Sequence, residues 1–119
     1  MLSKYSINIA PFVKAELKQA EQAENPELEF RCLENAHVLG QESTYWHVKV
    51  HWLMLLWAVR NLEMKEVFGQ IFRIVGAATK TAIGLVPAGN TGGANVSPFK
   101  RMPIKREHQA IIEKVKSEQ

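Results

Sequence analysis

Residues 34–58, ENAHVLGQESTYWHVKVHWLMLLWA, hold three of the chain's four histidines, and the reading of the fold starts there. His37 and Gln41 are four positions apart, and so are His47 and His51. On a helix, residues with this spacing stack one turn above each other on a single face. Residues 41–44, Gln-Glu-Ser-Thr, have the composition of a turn, so the stretch reads as two helices joined by a bend. Two helices that meet this way bring both pairs toward one interior point.

Working outward, Asn25-Pro26-Glu27 is a start signal: Asn as N-cap, Pro at the first helical position, an acid in the first turn. It predicts a helix over about 26–40 with Phe30, Leu33 and His37 facing inward. Upstream, Pro11 suits a first turn, and Val13, Leu17 and Ala20 recur at helical spacing, predicting a helix over about 10–23. The helix after the bend spans about 44–60. Lys49 and Arg60 share one stripe and nearly everything else is apolar, which predicts a central helix with Trp46, Trp52 and Trp57 in the core. His47 and His51 lie about 160–180° from that stripe and should point inward. A fourth helix, about 62–83, is capped by Asn61 and shows an apolar face of Met64, Val67, Phe68, Ile71, Val75, Ala78 and Ala82, with Gly84 as its stop. Residues 84–104 read as a Gly/Asn-rich loop, its glycines letting it fold back and Val96 and Phe99 anchoring it. A last helix over about 105–116 packs through Ile111, Ile112 and Val115. A weak repeat at an offset of 36 pairs Asn25, Glu27 and Leu28 with Asn61, Glu63 and Met64. The expected fold is therefore all-α: two tetratricopeptide-like hairpins, a long loop and a closing helix.

Composition narrows the functions. The 119 residues suit one domain, 1–119. A single cysteine, Cys32, rules out an internal disulfide and fits a reducing cytoplasm. All twelve acidic residues are Glu, which excludes Asp-bearing triads, EF-hand loops and aspartyl-phosphate chemistry. Residues 1–63 carry six basic and eight acidic side chains, and 64–119 carry nine and four. The basic excess comes without an aromatic platform or recognition motif, so nucleic acid is not an expected partner. The apolar run at 50–59 is ten residues long, against the roughly 20 a spanning helix needs, so no membrane association is expected. MLSKYSINIA lacks a charged segment followed by a sustained apolar run, so no secretory leader is expected.

The histidines are the strongest candidates for chemistry. Glu34, His37 and Gln41 fall within about 60° on an ideal helix. Glu34-x-x-His37 has the spacing of carboxylate–histidine metal sites in helical bundles, and His47-x-x-x-His51 offers two imidazoles from the facing helix. The expected site is one transition-metal ion held by His37, His47 and His51 with Glu34 or Gln41 as fourth ligand. The donor set suits Zn, Ni, Fe or Co, and Met54 on the same face would shift it toward Cu. No second Glu-x-x-His is present, which argues against a dinuclear centre, and no catalytic residue is assigned. Three other readings stand beside it. In one the histidines serve structure in a non-catalytic module that binds a peptide or self-associates; in another an open coordination position makes an enzyme; in the third residues 89–94 form an anion-binding nest.

ENAHVLGQ, HVKVHWLML and VPAGNTGGANVSPF together resemble a small bacterial family of uncharacterised function marked by the octapeptide NTGGANVS, here residues 90–97. The resemblance covers most of residues 10–104. It implies a compact cytosolic helical protein and brings no assigned activity.

Overall fold

The first helix, α1 (Lys4–Glu21), starts six residues before the expected position. The computed structural model describes residues 3–80, 90–94 and 101–118, and the described residues form helices without strands. Ser3 caps α1 by accepting the Ser6 N–H at 3.1 Å, and Tyr5, Ser6 and Ile9 extend its buried stripe toward Val13 and Ala20. Pro11 lies inside the helix on its exposed side rather than in the first turn. The following helix, α2 (Pro26–Gly40), begins as its start signal requires, with Asn25 Oδ1 accepting the Leu28 N–H at 2.9 Å.

The bend into α3 (Thr44–Arg60) is held from three sides. Ser43 Oγ accepts the Trp46 N–H at 3.1 Å and hydrogen-bonds Ser6 Oγ. Trp46 Nε1 donates to the Ser6 carbonyl, and Tyr5 Oη to the Leu39 carbonyl, each at 2.9 Å. A Cβ at Gly40 would sit 2.8 Å from Trp46 Cβ, so only glycine lets the two helices close this tightly. The start of α1 thus fixes the angle at which α2 and α3 present their histidines.

At its other end α3 stops in a Schellman motif: Glu63 N–H donates to Ala58 O at 2.9 Å and Leu62 N–H to Val59 O at 3.3 Å. Leu62 occupies the left-handed position at φ 55°, where glycine is the usual residue. Asn61, expected to start the next helix, ends this one, its side chain donating to the Trp57 carbonyl.

The fourth helix, α4 (Met64–Lys80), overturns an expectation. Met64, Phe68, Ile71 and Val75, which periodicity assigns to its inward face, are exposed. The inward stripe is Glu66, Gln70, Arg73 and Ala77, of which Gln70 is 0% exposed and Ala77 buried. Nor is α3 wrapped by protein on every side: Trp46 is buried, but Trp52, Leu56 and Val59 are exposed. Both surprises have one cause, since α4 approaches α3 to reach the histidines rather than to cover its apolar flank.

The last helix, α5 (Arg106–Ser117), crosses α1 and α2 and buries Ile112 and Val115. With Ile9, Val13, Leu33, Leu39, Val50 and Met54 they form one core. Each such side chain contributes about 1.5–3 kcal/mol by leaving water. Cys32 is half-buried against it. Among the described residues no helix is long and apolar enough to cross a membrane. Ala82, Gly84, Val96, Ser97 and Phe99 lie outside the described residues, as do the expected end of the fourth helix at 81–83 and the other positions of the expected loop at 85–89, 95, 98 and 100.

Candidate metal centre

His37 reaches the interior from the last turn of α2, and His47 and His51 from the first half of α3. All three are buried, with ring centroids 4.6–4.9 Å apart pairwise. One nitrogen from each lies within 4.8 Å of the other two. Glu34, one turn before His37, is not a member of this trio. Its carboxyl is half-buried and pushed up by burial, with Arg31 opposing and Glu66 reinforcing the shift. Gln41 is buried at the end of α2. His108, the fourth histidine, is buried on α5 and lies outside the trio.

The polar contacts fix which nitrogens carry protons. His37 Nδ1 is 2.7 Å from the Asn90 carbonyl oxygen, which only accepts, so Nδ1 is the protonated position. Gln70 Nε2 faces two acceptors, Glu66 Oε2 at 2.6 Å and Gly92 O at 2.9 Å, which sets the orientation of its amide. Gln70 Oε1 must then accept from His51 Nδ1, at 2.5 Å. Both neutral rings are therefore Nδ1–H tautomers, and their Nε2 lone pairs face each other at 3.1 Å.

A proton shared between the two would relieve that repulsion, but it needs an imidazolium in a dry site. Burial, then His51 and His47, hold His37 well below the ordinary histidine range. Burial and His51 lower His47 to about 3. Burial takes His51 to about 4, against the hydrogen bond to Gln70 and with Arg73 adding to the fall. Neutral rings with converging lone pairs are what a metal cation requires. With metal–nitrogen bonds of ~2.05 Å, a 3.1 Å separation corresponds to an angle of about 98° at the ion. A regular tetrahedron of that size has edges of ~3.4 Å, so a pair at the 4.8 Å limit of the trio closes by about 1.4 Å of ring movement.

A short segment roofs the site. Asn90–Ala94 passes over the rings, with Gly92 at φ 87°. A Cβ on Gly92 would lie 2.5 Å from His37 Cδ2, so this backbone stacks directly on the imidazole. Gly92 N–H donates to Asn90 Oδ1 and Ala94 N–H to Glu66 Oε2, so two of the loop's amides are already engaged. Gly69 on α4 makes room for Ala94, whose Cβ would otherwise meet its own at 2.5 Å.

Gln70 and Glu66, which orient His51, escaped the reading of the sequence. A signal was available: Glu66, Gln70, Arg73 and Ala77 form a stripe at i, i+4, i+7 and i+11, opposite the apolar one.

Fold and site together define an all-helical protein built around a buried histidine trio held by an outer layer of hydrogen bonds. The chain belongs to DUF3703, a family of unknown function whose profile spans residues 7–112. No curated protein and no solved structure matches it.

Proposed function

We propose that the protein binds a single transition-metal ion through His37, His47 and His51 and serves in metal handling rather than turnover. One observation carries the reading: two buried Nε2 lone pairs are aimed at each other by Nδ1–H bonds to Asn90 and Gln70. This outer layer, with a carbonyl behind one ring and an amide–carboxylate relay behind the other, is the usual support of metal-bound imidazoles. Gln41 or Glu34 supplies the fourth donor. Three neutral imidazoles suit Zn, Co, Ni or Fe, and Met54, buried on α3, extends the choice to Cu. A lone cysteine fits a cytoplasmic setting.

A second reading makes the chain a tetratricopeptide-like interaction module with structural histidines. It draws on the packing of each helix from α1 to α4 against the next and on the exposed apolar side chains of α3 and α4. Elemental analysis separates the two. The metal reading expects one equivalent of a transition metal on the purified or reloaded chain, lost in a His37→Ala/His47→Ala/His51→Ala variant. A folded wild type that takes up no Zn, Co, Ni, Fe or Cu under any loading overturns it and leaves the interaction module.

A further inference from the structure

The hairpin of α3 and α4 keeps its most apolar surface for the outside. Three residues, Asn61 to Glu63, join the two helices, and they pack against each other, so they run antiparallel. Leu56 and Phe68 are equally far in sequence from Leu62, and so are Trp52 and Phe72. Residues equidistant from a tight turn between antiparallel helices stand at the same level, so these exposed pairs mark two rungs of an apolar ladder. Val59 and Ile71 flank it, and all six side chains are exposed. Trp52 is 51% and Phe68 67% exposed.

We infer that this ladder is the contact between two copies of the chain, joined about a two-fold axis into a four-helix bundle. The area supports it. Large apolar side chains offer ~150–250 Å² each, and at the fractions exposed here the six of the ladder, with Leu62 at its end, present about 800 Å². That exceeds the 300–600 Å² or so of the largest patch on a typical monomer. It matches the roughly 800 Å² each partner gives a stable interface. The shape supports it too, because two similarly spaced apolar stripes on antiparallel helices are self-complementary: α3 of one copy lies on α4 of the other.

Leu62 points the same way. It holds a left-handed backbone that glycine adopts at lower cost, and at 80% exposure its side chain contributes almost no burial within the chain. At the end of the ladder a second copy gives it something to cover. A lipid surface fits less well, since Glu63 and Lys65 beside the patch bear opposite charges whereas membrane-lying helices are flanked by Lys and Arg.

Light scattering coupled to gel filtration tests this on the full chain. The wild type is expected at twice its 13.5 kDa at tens of micromolar, with Trp52 emission shifting to the red on dilution. Phe68→Glu/Phe72→Glu is expected at the monomer mass with unchanged helix content and unchanged metal uptake. Leu56→Lys alone gives the same result should the double variant lose helicity. A wild type that stays monomeric at every concentration overturns the proposal, whether or not it binds vesicles of anionic lipid. So does a dimer that survives in folded Phe68→Glu/Phe72→Glu and Leu56→Lys variants. Metal uptake is read separately, so failure here leaves the metal site standing.

Discussion

Replacing Gln70 with leucine strikes the contact that decides the tautomer of His51. The Gln70 amide is fully buried and makes three hydrogen bonds: it accepts from His51 Nδ1 and donates to Glu66 and to the Gly92 carbonyl. Leucine keeps the approximate volume and removes all three. Glu66 Oε2 retains the Ala94 N–H at 2.9 Å. His51 has an escape in the metal-free protein: its proton moves to Nε2 and donates across 3.1 Å to the His37 lone pair. The Gly92 carbonyl is then the main group left without its buried partner, which costs about 1–3 kcal/mol. Metal binding has no such escape, because His51 Nε2 must lose the proton it has just gained and the ring has lost its anchor. Removing an outer-layer partner typically weakens metal binding 10–100-fold, or about 1.4–2.7 kcal/mol. Proton–nitrogen correlation spectra of the rings and a competitive zinc titration read the two effects. The metal-free wild type should show Nδ1–H on His37 and His51, and Gln70→Leu should move only His51 to Nε2–H. A metal-free wild type with its His51 proton on Nε2 refutes the reasoning, as does a folded Gln70→Leu that binds zinc undiminished.

Acid should unfold the metal-free protein early. The folded-state values of about 3 for His47 and about 4 for His51 lie below the ordinary 6.5, so the unfolded chain binds more protons between those values and stability falls as pH drops through that window. At up to about 1.4 kcal/mol per unit and per ring, these two histidines together cost about 3–4 kcal/mol between pH 7 and pH 5, measurable as a lower urea midpoint. Gly92→Ala should destabilise by about 2 kcal/mol and weaken metal uptake, because its Cβ meets the His37 ring at φ 87°; thermal melts with and without zinc check it. Leu62→Gly, made in the Phe68→Glu/Phe72→Glu background so that association does not interfere, should stabilise the fold by about 1 kcal/mol, seen as a higher melting temperature.

The histidine bend was legible because its information is local. The spacing of His37, Gln41, His47 and His51, the turn composition of residues 41–44 and the Asn25-Pro26 start signal each depend on a few neighbours, and the structure gathers the three histidines. The beginning of α1 was harder to place. Its extension rests on Tyr5 and Ser6 bonding to a bend more than thirty residues away, which no local window contains. The face of α4 was misread for a related reason. Periodicity identifies the apolar stripe of a helix but not whether that stripe meets its own core, and here the stripe facing in is the one that carries Gln70.

That inversion links the two ends of the molecule's chemistry. A neutral histidine trio in a dry interior needs acceptors behind its rings, and α4 brings Gln70, backed by Glu66, against His51. A helix turned to present that stripe cannot also bury Phe68 and Ile71 within the chain, because the two stripes lie on opposite sides of one cylinder. The apolar face has to be covered some other way, and packing α3 and α4 of one copy against those of another does so without disturbing the hydrogen bonds beneath. If that holds, charge placed on the outer face breaks the dimer but leaves zinc uptake intact. Substitution of Gln70 does the reverse, since the same helix serves the two tasks with different sides.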